Sequence, residues 1–102
     1  MDLEQIQAYC KENKLRWTQH IFRRLIERDI SMTDVRDAIL SGDIIEMYPE
    51  DYPDPSCLIL GHSKTKQYLH VVCGIHNDEL WLITAYVPNP EKWSDDFRSR
   101  KE

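Results

Sequence analysis

At 102 residues, 41% apolar and 30% charged, the chain suffices for one hydrophobic core, and a single domain over 1–102 is expected. A net charge of −5 argues against indiscriminate nucleic-acid binding. Cys10, Cys57 and Cys73, an odd set without a CxxC pair or an apolar leader, argue against a disulfide framework, secretion and structural zinc. A cytoplasmic chain with reduced thiols is expected, with no apolar run long enough to span a membrane.

Residues 2–12 space Leu3, Ile6 and Cys10 at three and four, which predicts a short amphipathic helix. Trp17 to Asp29 predicts a second, capped by Thr18, with Ile21, Phe22, Leu25 and Ile26 as its buried face. A third begins at Ser31 or Thr33, turns Met32, Val35, Ala38 and Ile39 inward, and stops at Gly42 as a C′ residue. From Asp43 the period changes to two. Residues 43–48 read as a strand, and 49–55, with three prolines and three acids, as an exposed loop. Strands follow over 56–62, 67–75 and 79–87, joined by turns at 63–66 and at Asn77-Asp78. The segment 88–102 opens with Pro88 and Pro90 and is predicted to lie over the sheet as a tail, pinned by Trp93 and Phe97. Two or three N-terminal helices followed by a four-stranded antiparallel meander make an α+β fold.

Charge is unevenly spread. Residues 11–28 carry six basic side chains against two acids, while 29–55 carry eight acids against Arg36. Within the basic stretch Trp17, His20, Arg24 and Arg28 recur at three and four, one stripe on the flank of a helix, with Arg23 and Glu27 pointing away. An imidazole one turn from two guanidiniums can hold a phosphate and move a proton beside it. The plainer alternative is a solvated boundary, its arginines paired to nearby acids and His20 bonded to backbone near the helix start. On the third strand Lys66, Tyr68, His70 and Val72 share a face, so His70 is either in the core or on the open side. On the fourth, strict alternation puts Leu80, Leu82, Thr84 and Tyr86 on one face and Trp81, Ile83 and Ala85 on the other. Thr84 and Tyr86 are polar groups at a strand end, where ligands are often met.

His62, His70 and His76 match no metal-ligand spacing, and Cys73 reads as a small core residue. With no Gly-rich phosphate loop and no nucleophile elbow, neither metal nor cofactor is expected.

The run His20…Arg24…Glu27-Arg28-x-Ile30-Ser31, then Val35, Ala38-Ile39 and Gly42, resembles the opening of a bacterial family known only as a domain of unknown function. Leu69-His70-Val71-Val72, Ile83-Thr84-x-Tyr86-x-Pro88, Pro90-x-Lys92-Trp93 and Phe97-Arg98-x-Arg100 resemble its later signatures, so the likeness runs from Trp17 to Arg100. That family is likened to RelE- and MqsR-like toxins of the barnase–EndoU–colicin–RelE ribonuclease group. The resemblance implies helices packed on a curved antiparallel sheet and, by analogy, RNA as substrate and an antitoxin protein as partner. His20 and Arg28 match its most characteristic positions, and His70 matches its strand motif.

Two functions are therefore carried forward. The first is a metal-independent endoribonuclease of toxin–antitoxin type, cleaving RNA by acid/base-assisted attack of the ribose 2′-OH. In it His20 moves one proton, Arg24 and Arg28 offset phosphate charge, and His70 or Tyr86 handles the second proton. Trp17, Lys66 and Thr84 are its substrate contacts. The alternative is a non-catalytic protein-binding module, whose acids at Glu46, Glu50, Asp51 and Asp54 around Tyr48 and Tyr52 suit a basic partner. An exposed sheet edge would also allow a homodimer.

Overall fold

Asp2 starts α1 (Leu3–Lys11) by accepting the Gln5 amide at 2.8 Å, and the helix buries Ile6 and Cys10 one turn apart. In the computed structural model, which covers residues 1–102, the chain then turns at Asn13, in the left-handed region at φ 58. It enters a three-residue strand, β1 (Leu15–Trp17), that was not expected from the sequence. Trp17 therefore belongs to a strand and not to the second helix. Thr18 caps α2 (Gln19–Arg28) as predicted, accepting the Ile21 amide at 3.2 Å. Asp29, left-handed at φ 55, ends it and lets the buried Ile30 donate back to the Leu25 carbonyl.

The buried face of α2 is narrower than its pattern suggests. Ile21 and Leu25 are covered, but Phe22 is 42% and Ile26 82% exposed. The helix packs on the last strand near the edge of the sheet, so only the Ile21–Leu25 row is fully covered. The third helix, α3 (Met32–Ser41), begins after Ser31 in a capping box with Asp34, and Met32 points outward. Asp34 also accepts from the Ser63 and Thr65 hydroxyls at 2.7 and 2.8 Å, tying the helix start to the turn after the third strand. Gly42 ends α3 for a different reason from the one expected. Its backbone is extended (φ −100), and what demands glycine is space, since a Cβ there would sit 2.5 Å from the Leu60 carbonyl oxygen.

The remaining chain is a meander of β2 (Asp43–Tyr48), β3 (Ser56–Gly61), β4 (Leu69–His76) and β5 (Glu79–Tyr86). Asn77 and Asp78, both at positive φ, close the β4–β5 hairpin. The order across the sheet is β1-β5-β4-β3-β2, with β1 parallel to β5 and every other pairing antiparallel. The expected four-stranded antiparallel sheet is thus an open, five-stranded mixed one within an α+β fold of three helices. β4 starts at Leu69, so Lys66 lies in the preceding turn and not on the face it was expected to share with His70.

A register shift in β5 corrects the faces. Leu82 pairs with Cys73 and Thr84 with Val72, leaving Ile83 as the extra residue of a bulge. The alternation changes phase there. Leu80, Leu82 and Ala85 face the helices, joining Ile59, Leu69 and Val71 in the core, while Thr84 and Tyr86 emerge on the opposite face beside Val72 and His70. No helix is long and apolar enough to cross a membrane.

Candidate functional site

The face of the sheet turned away from the helices carries a row of polar side chains, and residues 88–102 run over it. Trp93, buried, sets its ring edge-on to His70 with centroids 4.5 Å apart, and Phe97 packs on Tyr68 at the same spacing. Arg98 reaches Asp43 at 3.3 Å. Arg100 lies over the Trp93 ring and holds Glu46 through Nε at 3.0 Å and Nη2 at 3.1 Å. Tyr48 donates to the same carboxylate at 2.6 Å. The arginine bonds hold the Glu46 carboxyl below the usual range, and burial together with Glu46 pushes the Tyr48 phenol up to about 12.

His70 is completely buried in this setting. Its Nε2 lies 2.9 Å from the Phe97 carbonyl oxygen, which can only accept, so Nε2 carries the hydrogen. In the neutral ring Nδ1 is then an acceptor, and the Tyr86 hydroxyl lies 3.4 Å from it. Burial moves the His70 pKa below its ordinary value, against the pull of the Phe97 carbonyl and Glu46, so the ring is neutral at physiological pH. Burial also raises Tyr86, opposed by the positive charges of Arg100 and Arg28. The result is a neutral phenol backed by a neutral imidazole whose Nδ1 lone pair faces the phenol oxygen.

Arg28 reaches this group from the other layer. β1 covers β5 only from Leu80 to Leu82, and beyond it that edge has no neighbouring strand. There Arg28 Nη1 donates to the Ala85 carbonyl at 2.8 Å and to the Thr84 hydroxyl at 3.3 Å. One guanidinium thus caps the free edge next to Tyr86. Its Nε and Nη2 make no hydrogen bond within the chain, so they remain available to an anion.

Of the residues singled out in the sequence, His70 is brought together with Tyr86, and Arg28 with Thr84. The others stand apart. His20 is exposed and makes no hydrogen bond, and Arg24 pairs with Glu27 at 2.9 Å. Trp17 stacks on Phe22 with centroids 6.2 Å apart. Lys66 closes a turn through its backbone, bonding Ser63, while its side chain has no partner. His20 precedes Arg28 by eight positions on α2, which separates them by about 12 Å along the axis.

Sequence reasoning did not reach the Glu46–Arg100 clamp or the Phe97 carbonyl. A signal existed for the first, since Glu46 is an acid in mid-strand, between Ile45 and Met47. Nothing in the spacing marks a backbone carbonyl that arrives 27 residues after the histidine it holds.

A family model described as a domain of unknown function, DUF4258, matches residues 17–87. The match takes in Trp17 at the end of β1, α2, α3 and the four-stranded meander, and stops before Trp93, Phe97 and Arg100. None of the curated proteins and no solved structure matches the chain.

Proposed function

We propose that this chain, which belongs to the DUF4258 family, is a metal-independent endoribonuclease akin to the RelE- and MqsR-like toxins. The observation that carries the reading is the hydrogen-bonded His70–Tyr86 pair with the Arg28 guanidinium beside it. Cleavage of RNA by its own 2′-OH needs a group to take the hydroxyl proton and a cation for the charge that builds on phosphorus. In this proposal the Tyr86 oxygen accepts the 2′ proton as its own proton passes to His70 Nδ1. The 2′ oxygen bonds to phosphorus, the 5′ oxygen departs with a solvent proton, and a 2′,3′-cyclic phosphate forms. Arg28 faces the phosphate, while the Phe97 carbonyl and the Glu46 charge sustain the imidazolium. His70, held neutral by burial, begins in the state the relay requires.

The distance along α2 gives His20 and Arg24 a different task from the one first assigned to His20. They serve as contacts for flanking phosphates, since one phosphate does not span His20 and Arg28. RNA is the proposed substrate and an antitoxin protein the proposed partner.

The test is induced expression of the wild type beside Tyr86→Phe and Arg28→Ala, following growth and total RNA together. Arrest with RNA breakdown in the wild type, lost in both folded variants, is the expected result. Intact RNA and normal growth in the wild type would end the ribonuclease reading.

A further inference from the structure

We infer that the cleft between residues 51–55 and the β4–β5 hairpin is a docking site for the guanidinium of an arginine on a partner protein. The cleft has a volume of about 270 Å³ and lies at the opposite end of β4 from His70. Its floor is Gly74, where a Cβ would come 2.7 Å from the Pro55 carbonyl oxygen, so the loop lies flush on the strand only because the residue is glycine. One wall is Trp81, its indole N–H fixed to the His76 carbonyl at 3.2 Å. The other is Tyr52, 96% exposed, whose ring is open to a ligand.

The polar groups decide the occupant. Every charged residue of the loop is an acid, namely Glu50, Asp51 and Asp54. Asp54 is oriented by the His76 ring at 2.6 Å through one carboxylate oxygen, and its other oxygen has no partner. A flat cation that stacks on aromatic rings and donates to a carboxylate answers both features. Guanidinium is such a group, whereas ammonium lacks the plane, and the acids repel phosphate. The chain forms the same contact on the same indole, where Arg16 lies 5.3 Å from the Trp81 ring centroid and pairs with Glu79 at 3.3 Å, so an incoming guanidinium stacks on Tyr52 and meets Asp54. The site is independent of the proposed cleavage site and shares no residue with it.

A titration of the ¹⁵N-labelled protein with N-acetyl-arginine methylamide, read at the Trp81 indole N–H, tests this. The citrulline and lysine analogues and cytidine 5′-monophosphate are run alongside. The arginine compound is expected to give a saturable shift, with a weaker one from lysine and none from citrulline. Asp54→Asn should weaken binding by roughly tenfold or more. Tyr52→Ala, at a position too exposed to affect folding, should weaken it as well. Absence of a saturable shift with the arginine compound, or equal shifts with citrulline or lysine, would overturn the proposal. A stronger response to the nucleotide would overturn it too, and would make the cleft a nucleobase subsite.

Discussion

Arg100 grips Glu46 with two donors, across 54 residues of chain, and in doing so seals the tail over His70. Glu46 is 22% exposed at its side chain, so its charge is shielded enough for the fork to matter, while Arg100 at 61% remains wet. Arg100→Ala is expected to cost about 1–2 kcal/mol in chemical denaturation. Arg100→Lys should recover less than half of that, because lysine keeps the charge and loses the bidentate geometry. Stability of Arg100→Lys equal to that of the wild type would show that charge alone holds the tail.

Asp34 is expected to govern part of the acid transition. Burial works against its charge, but the Ser31 amide and the Ser63 and Thr65 hydroxyls outweigh it and hold the carboxyl at about 2. A depressed acid contributes its full stability above the unfolded pKa and loses it as pH falls from about 4 to about 2. Asp34→Asn should therefore lower stability at pH 7 by about 2 kcal/mol and flatten the decline over that acid window. Denaturation midpoints at pH 7, 4 and 3 check both effects.

His70 acts in a higher window. Its folded pKa lies below the unfolded value of about 6.5, so in mild acid the unfolded chain binds a proton that the folded chain refuses. Stability from this source is complete above that value and falls as pH drops through it. His70→Phe leaves the Phe97 carbonyl without its donor and should cost about 1–3 kcal/mol at pH 7.5. Its melting temperature should fall less than that of the wild type between pH 7 and 5. An unchanged pH dependence would mean that folding does not shift the His70 pKa.

The narrow buried row of α2 predicts a sharp contrast between adjacent positions. Leu25→Ala should cost about 2–4 kcal/mol by opening the core. Ile26→Lys, at a residue 82% exposed, should change stability by no more than about 0.5 kcal/mol. Thermal melts of the pair decide it, and a large loss in the second would show that α2 has a further packing partner.

Local chemistry was the legible part of this fold. Thr18, Ser31 and Asn77-Asp78 each satisfy backbone groups a few residues away, so their roles can be read from neighbours alone. β1 could not be read so. Three residues are too few to show alternation, and what makes them a strand is β5, about 65 positions later. The bulge at Ile83 leaves no trace in a run of apolar residues, yet it moved Thr84 and Tyr86 to the face where the candidate site lies. The amphipathic count on α2 exaggerated its buried face, because hydrophobicity marks what can be covered and not what is. Of the candidate site, His70, Tyr86, Arg28 and Thr84 were legible as residue types in telling places. Their pairing depended on sheet register, and the clamp depended on a tail that crosses the sheet.

The parallel pairing of β1 with β5 also orders events in time. The Leu80 amide donates to the Lys14 carbonyl, so β1 has no partner until the last strand has been made. During synthesis the meander can zip through its short turns, while Leu15–Trp17 must wait. Docking of β1 is therefore a closing step of folding. Trp17, which stacks on Phe22 at that edge, becomes a fluorescent reporter of it once Trp81 and Trp93 are replaced by phenylalanine.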